Sequence, residues 1–257
     1  PLNPREFRII SKATSELKEV SPNEVFLLIP TCKKNSRKME AVRKTWASQL
    51  NKYGFRYLFL LGDPSLETAQ VEDDILIVPC ADDYESLLLK LSLGYKFIYQ
   101  NIDFDYVYKI DDDCYPDLNK LSRDILPQLK GKQFAGGDVH RKGNSMNNKW
   151  HYGKCSASKF DKPYQYNVAP FDFAKGGYGY FIRKDVLPII FQMNSVFKKE
   201  LEEGVYSPED VRISEVLSYK NIKPYSIEKY SFSKYDTSNK QEYLIYDIES
   251  EHAFFKL

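Results

Sequence analysis

The chain has 257 residues, with 37 basic and 36 acidic side chains and a net charge of +1. Its length suits one large domain or two small ones, and its apolar content of 42% argues against a disordered chain. The balanced charge argues against nucleic acid as a partner, and no apolar run approaches the roughly 20 residues that span a bilayer.

The first half of the chain alternates between strand and helix patterns. Continuous apolar runs predict strands at 24–30, 55–61, 74–78 and 106–110, and apolar spacings of three to four predict helices at 36–50, 84–99 and 117–129. This order is typical of an α/β fold with a mostly parallel sheet flanked by helices. We expect one domain with a lead-in at 1–23, a nucleotide-binding half at about 24–130 and an acceptor-binding half at about 131–257.

The second half has a less regular pattern. Residues 141–175 carry Gly, Asn, Lys and Pro with scattered aromatics, which predicts either functional loops or small antiparallel strands. A strand is expected at 177–183 and a helix from Asp185. Ser207 and Pro208 predict the start of a further helix, because Ser is a favoured N-cap and Pro a favoured first helical residue.

The cysteines support neither a disulfide nor a zinc site. The four cysteines have no Cys-x-x-Cys spacing, and no Asn-x-Ser/Thr glycosylation acceptor occurs. Both features favour a reducing compartment, the cytoplasm, over a Golgi lumen with a membrane anchor outside this chain.

Three consecutive carboxylates follow the fourth predicted strand. Asp111, Asp112 and Asp113 stand at its carboxyl end, where open α/β sheets bind ligands. Side chains alternate in an extended chain, so Asp111 and Asp113 can point the same way. A hard divalent cation bound to a diphosphate would relieve their repulsion. The alternative is a solvated acidic turn that caps the next helix.

A glycine-rich segment at 176–180 is the other distinctive motif. It has neither the spacing of a phosphate-binding loop nor that of a dinucleotide fingerprint. Its glycines indicate either a bulged, tightly packed strand or a backbone that approaches a ligand between two tyrosine rings.

Taken together, these blocks resemble family 31 of the glycosyltransferases, the inverting β1,3-galactosyl- and N-acetylglucosaminyltransferases that include the Fringe proteins. The matching blocks occur in the family's order: Arg37 with Arg43-Lys44-Thr45-Trp46, Phe59-Leu60-Leu61-Gly62, the segment from Ile75 to Lys90, Lys109-Ile110-Asp111-Asp112-Asp113, Gly177-Tyr178-Gly179-Tyr180 and Glu209-Asp210-Val211.

The resemblance implies a GT-A fold, a UDP-sugar donor and Mn²⁺ or Mg²⁺. We expect Asp113 to ligate the metal directly, Asp111 to reach the metal or the ribose, and Asp112 to do either. His252, the one late histidine, is a candidate further ligand, since imidazole also suits Mn²⁺; a surface position is the alternative. The other residues expected to bind the donor are Arg37, Arg43, Lys90, Gly177 and Tyr178.

The resemblance also implies a catalytic base in the Glu-Asp-Val block. Asp210 is the expected base, with Glu209 as its rival or as an acceptor contact; the alternative is an ordinary acid in a first helical turn. Trp150 and Tyr180 are expected to contact the acceptor, because aromatic faces stack on sugar rings.

The sequence therefore predicts a metal-dependent inverting glycosyltransferase. It would move a hexose or N-acetylhexosamine from UDP-galactose, UDP-GlcNAc or UDP-glucose to a glycan or glycoconjugate, forming a β1,3 linkage. The alternatives are a nucleotide-sugar hydrolase or nucleotidyltransferase on a similar scaffold, and a non-catalytic sugar-binding module.

Overall fold

The computed structural model of the chain describes residues 19–227 and the strand Ile245–Asp247. The predicted metal ligand His252 and most of the predicted lead-in at 1–23 lie outside the described residues. Within the described residues, no helix is both long and apolar enough to cross a bilayer. All four cysteines are free thiols.

An eight-stranded sheet forms the centre of the fold, in the order β11-β7-β10-β5-β1-β2-β4-β3. Its strands β1, β2, β4 and β5 are parallel, whereas β10 runs antiparallel to both β5 and β7. The strands are β1 (Val25–Pro30), β2 (Arg56–Gly62), β3 (Gln70–Glu72), β4 (Ile75–Val78), β5 (Tyr106–Lys109), β6 (Cys114–Pro116), β7 (Phe134–Gly136), β8 (Val139–His140), β9 (Phe173–Ala174), β10 (Tyr180–Arg183), β11 (Tyr225–Ser226) and β12 (Ile245–Asp247).

Helices cover both faces of this sheet and close two apolar cores. One core packs α3, α5, α6 and α7 against one face, and the other packs α1 and the helical segment 118–129 against the opposite face. The predicted α/β fold with a mostly parallel sheet is confirmed. The helices are α1 (Ser36–Lys44), α2 (Leu50–Tyr53), α3 (Leu87–Asn101), α4 (Leu118–Lys120), α5 (Leu187–Phe191), α6 (Asn194–Glu202) and α7 (Glu209–Ser218).

Three predicted elements differ from the structure. The helix predicted at 36–50 breaks after Lys44, and the segment at 117–129 is a short α-turn followed by a π-turn and a 3₁₀-turn that contains Pro127. Ser207 is not the N-cap of α7; its hydroxyl hydrogen-bonds Glu200 at 3.3 Å, and Pro208 takes the cap position.

The segment at 141–175 consists largely of turns, with small strand contacts at its edges. Strand β8 just before it pairs with β9 near its end, and an isolated bridge joins Ser145 to Val168. Both predicted alternatives, loops and small antiparallel strands, are therefore present.

The connectivity places one crevice at the carboxyl ends of the parallel strands. Strand β1 lies between β2 on one side and β5 on the other, so the chain order reverses across β1. Open α/β sheets bind ligands outside the carboxyl ends at such a switch point. The acidic residues 111–113 follow β5 directly at this position.

Candidate active site

The acidic turn after β5 presents two carboxylates to the crevice and buries the third. The side chains of Asp111 and Asp113 are 29% and 37% exposed, whereas that of Asp112 is 7% exposed. Asp112 Oδ2 accepts hydrogen bonds from Thr31 Oγ1 at 2.7 Å and Asn35 Nδ2 at 2.8 Å. Asp112, predicted as a donor contact, therefore fastens the turn to the segment after β1.

A buried lysine on β5 holds Asp111 in place. Lys109 Nζ lies 2.6 Å from Asp111 Oδ1, 2.8 Å from Glu209 Oε1 and 3.1 Å from the carbonyl oxygen of Gly176. Burial opposes its charge, but the two carboxylates keep the pKa of Lys109 well above its usual value. One ammonium group thus ties together the acidic turn, the start of α7 and the glycine segment.

Two residues predicted to contact the acceptor are instead buried in this network. Tyr180 is fully buried in β10, and its hydroxyl donates to Glu209 Oε2 at 2.9 Å and lies 3.0 Å from the hydroxyl of Tyr95. Glu209 has both carboxylate oxygens engaged, by Tyr180 and Lys109. Tyr180 and Glu209 therefore stabilise the site from its buried side, and neither presents an unengaged polar atom to an acceptor; their assignment as acceptor contacts stays a prediction.

Asp210 differs from its neighbour in lying partly exposed at the first turn of α7. Its carboxylate accepts hydrogen bonds from the backbone N–H of Gly176 at 3.0 Å and of Val211 at 2.8 Å. Burial, reinforced by the Glu209 carboxylate, raises the pKa of Asp210 to about 6, although both N–H groups act in the opposite direction. A carboxylate with this pKa is ionised at neutral pH and is a competent proton acceptor.

The glycine segment connects these groups through its backbone. Residues Gly176–Tyr178 form a 3₁₀-turn that leads into β10. A side chain at Gly176 would collide with Glu209 Oε1, whereas the position of Gly177 is open. Gly176 serves close packing, as one of the two predicted readings requires, although in a turn and not in a strand. The other reading, a backbone that approaches a ligand, stays a prediction for Gly177 and the half-buried Tyr178, which remain at the surface.

Alanine substitutions at Gly176 and Gly177 test whether the first position is closely packed and the second is open. Gly176→Ala is expected to lower the free energy of unfolding by about 1–3 kcal/mol, the usual cost of overpacking, because the new methyl group displaces Glu209. Gly177→Ala is the matched control and is expected to leave the stability unchanged. Denaturant unfolding of both variants measures the effect; equal midpoints would contradict the packing role of Gly176.

The three basic residues predicted to bind the donor do not lie together at the acidic turn. Arg43 forms a two-pronged pair with Asp74 at 2.9 and 2.7 Å, at the start of β4 and away from the carboxyl ends. Its guanidinium is therefore already engaged, and its role as a donor contact stays a prediction. Lys90 is buried and donates to the Thr31 carbonyl at 2.6 Å and to Asp82 Oδ1 at 2.9 Å. Lys90 therefore joins the loops after β1 and β4. Arg37 is exposed on α1.

Lys38 is a site residue that the sequence analysis missed. Its ammonium lies 3.3 Å from Asp113 Oδ2 and 3.6 Å from Asp112 Oδ1. The family block predicts the adjacent Arg37 instead. The helical periodicity of α1 could have identified Lys38, because it places this residue closer than Arg37 to the face that carries Met39 and Val42.

Aromatic side chains surround the side of the crevice next to Asp210. Trp150 is 60% exposed, with the ammonium of Lys154 3.7 Å from the centre of its ring. Tyr206 stacks on His151 at 4.1 Å and on Tyr84 at 5.8 Å between ring centres. Trp150 therefore remains a candidate acceptor contact, and the Tyr84–Tyr206 stack was not predicted.

The carboxylates of the site outnumber the ammonium groups that contact them, so the charge balance favours binding of a further cation. Within the described residues, two ammonium groups contact four of its five carboxylates: Lys109 contacts Asp111 and Glu209, and Lys38 contacts Asp112 and Asp113. No group of three His, Cys, Asp or Glu in the described part of the chain has the geometry of a complete metal site. Asp111 and Asp113 nevertheless supply the oxygen donors that Mg²⁺ and Mn²⁺ prefer, so these residues fit a partial ligand set.

The protein has a GT-A-like α/β fold with an acidic turn at the switch point, and Asp210 lies beside the network that holds this turn. The Galactosyltransferase family model matches residues 37–228. The chain belongs to this family, which confirms the resemblance drawn from the sequence, and it is therefore a glycosyltransferase.

Individual relatives are similar at low identity. Beta-1,3-galactosyltransferase 1 of Mus musculus is 27% identical over 244 residues, covering 88% of this chain and 69% of the relative. UDP-GalNAc:beta-1,3-N-acetylgalactosaminyltransferase 2 of Mus musculus is 36% identical over 73 residues, or 28% of this chain and 14% of the relative. A glycosyltransferase involved in glycosylation of the major capsid of PBCV-1 shares the fold with a TM-score of 0.51 at 10% identity, covering 91% of this chain and 99% of that one.

Proposed function

We propose that the protein is an inverting glycosyltransferase that moves a hexose or N-acetylhexosamine from a UDP-sugar to a sugar hydroxyl of a glycan or glycoconjugate, forming a β1,3 linkage. The observation that carries the proposal is the Lys109 network, which links Asp111 of the acidic turn to the segment that holds Asp210. The names of the relatives, β-1,3-galactosyl- and UDP-GalNAc-dependent transferases, support this donor class and this linkage.

Asp210 acts as the general base in this proposal. Its carboxylate takes the proton of the acceptor hydroxyl while that oxygen attacks the anomeric carbon and the bond to UDP breaks. Direct attack on the face opposite the leaving group inverts the configuration at that carbon, through an oxocarbenium-like transition state. Gly176 N–H fixes one oxygen of the carboxylate, so the proton acceptor is oriented before the acceptor binds.

The acidic turn holds the donor's diphosphate end. Asp113, with Asp111 beside it, would bind Mn²⁺ or Mg²⁺, which when present neutralises charge on the departing UDP. Lys38 is close enough to Asp113 to contribute a second positive charge at the same place. Lys109 keeps Asp111 oriented, while Asp112 keeps the turn attached to β1.

Metal removal tests the role of the acidic turn. Excess chelator is expected to abolish turnover and added Mn²⁺ to restore it, because the carboxylates alone repel a diphosphate. Asp113→Ala is expected to weaken UDP binding measured calorimetrically with Mn²⁺ present, and Asp103→Ala, which removes a fully exposed carboxylate outside the site, is the matched control. Full turnover in chelator would contradict a metal site.

A donor screen tests the function itself. The protein is incubated with UDP-galactose, UDP-GlcNAc or UDP-glucose and Mn²⁺, and UDP release is measured with and without acceptor glycans. The proposal expects release that increases when an acceptor is added. Release that is independent of every acceptor would indicate hydrolysis, and binding without release would indicate a non-catalytic module.

A further inference from the structure

A groove of about 520 Å³ runs beside α7, outside the set of residues assigned above. Arg212, Glu215 and Tyr219 line it from one face of the helix, and the loop 162–166 and the segment 203–207 form the other walls. Its volume falls within the range of about 300–1,000 Å³ that is usual for ligand sites.

The lining combines aromatic rings with fixed hydrogen-bonding groups. Tyr219 is 72% exposed. Glu215 accepts hydrogen bonds from the hydroxyls of Tyr166 at 2.8 Å and Tyr219 at 3.1 Å, and from Arg212 at 2.6 Å. Apolar ring faces beside oriented acceptors suit a ligand that has both a C–H face and hydroxyl edges.

The charges of the groove disfavour an anion. Arg212 is neutralised by Glu200 at 2.5 Å and by Glu215 at 2.6 Å. Lys162 is the second cation of the lining, and Glu203 a third acid. The groove therefore carries more negative than positive charge, which selects against nucleotides and phosphates and in favour of a neutral polyol.

The groove is related to the candidate catalytic base through the segment that precedes α7. Asp210 and Tyr219 lie nine residues apart on opposite faces of this helix, but Tyr206 lies close enough to Asp210 for the two side chains to interact electrostatically. Tyr206 lines the groove and also stacks on His151 and Tyr84. Building on the proposed function, we propose that this groove binds the sugar residues of the acceptor glycan that lie beyond the attacked hydroxyl.

Binding to an array of immobilised oligosaccharides of graded length tests this subsite without any turnover. The full chain is expected to bind longer oligosaccharides better than monosaccharides. Tyr219→Ala is expected to weaken the longest binder about fivefold or more, the scale of one ring contact, whereas Tyr219→Phe keeps the ring, loses only the hydroxyl and should weaken it less. Tyr219 is 72% exposed, so neither variant's thermal midpoint should fall.

Tyr225→Ala is the matched control, because it removes an exposed tyrosine on β11 outside the groove. Transfer kinetics give the second measurement: Tyr219→Ala should raise KM for the longest acceptor while kcat, KM for the UDP-sugar and KM for the shortest acceptor stay unchanged.

Three results would overturn the subsite. They are binding to no glycan on the array, equal binding by both groove variants and the control, and displacement of bound glycan by a peptide that carries no sugar. If no UDP-sugar is consumed with Mn²⁺ while glycan binding still depends on Tyr219, the proposed function fails and the subsite stands.

Discussion

Replacing Asp210 by asparagine is expected to lower turnover by about 10²-fold or more, the usual scale for loss of a general base, with donor binding nearly intact. The amide retains the shape, but its single oxygen can accept from only one of the two N–H groups that the carboxylate binds, those of Gly176 and Val211, so a small loss of stability is expected beside the large loss of turnover. What it loses is basicity. Calorimetry with UDP and Mn²⁺, next to steady-state kinetics, separates the two effects.

The environment of Asp210 also sets the pH dependence of activity. Its pKa, raised to about 6 by burial and by Glu209, means that the proton-accepting form is lost as the pH falls through this value. We expect kcat/KM to decrease about tenfold per pH unit on the acid side of this pKa. Asp210→Asn should abolish that dependence. An unchanged acid limb in the variant would assign the titration to another group.

Glu209→Gln separates the two acids of the Glu-Asp-Val block. Glu209 is held by Lys109 and Tyr180 in the buried network, so its loss should reduce stability more than it reduces the chemical step. An inactive but stable Glu209→Gln protein beside a fully active Asp210→Asn protein would instead make Glu209 the base.

The fold could be predicted because each central strand is a continuous apolar run that can be recognised on its own in the sequence. Every residue of Val25–Pro30 is buried, and the run is accordingly apolar on both faces of the sheet. In the same way, the end of the apolar run at 106–110 locates the acidic turn that follows it. The helix at 36–50 shows the limit of this reasoning. Trp46 and Leu50 are buried as its periodicity requires, yet the backbone breaks before them, and periodicity reports burial rather than hydrogen bonding.

Partners distant in sequence explain why several predicted site residues are engaged within the protein itself. Arg43 pairs with Asp74, 31 positions away, and Tyr180 meets Glu209 through the alignment of β10 beside α7. Side-chain type alone marks Arg43 as a phosphate ligand and Tyr180 as a sugar platform, but only the packed structure shows that their polar atoms are already engaged. The Lys109–Glu209 pair could not be predicted for the same reason, because its two residues belong to blocks that are 100 positions apart in the sequence.

Replacing Lys109 by methionine is expected to lower the free energy of unfolding by about 3–5 kcal/mol, the cost of removing one partner from a buried ion pair. The lysine side chain is 1% exposed and contacts Asp111, Glu209 and the Gly176 carbonyl. Asp111 is partly exposed and can turn toward water, whereas the Glu209 carboxylate, 6% exposed, would remain buried with only the Tyr180 hydroxyl beside it.

Lys38→Met is the matched control for this substitution. Lys38 touches the same acidic turn through Asp112 and Asp113, but its side chain is 31% exposed, so the loss should be below about 1 kcal/mol. Urea unfolding monitored by fluorescence compares the two variants, and similar losses would contradict the special role of the buried lysine.

A double substitution identifies which charge causes the loss. If the unpaired Glu209 carboxylate is responsible, Lys109→Met combined with Glu209→Gln should be more stable than the sum of the two single effects allows, by about 1 kcal/mol or more, as for residues in one ion-pair network. The neutral amide can still accept from Tyr180 and no longer requires a counter-charge. Strictly additive losses would show that Lys109 stabilises the site through Asp111 and Gly176, and that its contact with Glu209 contributes little.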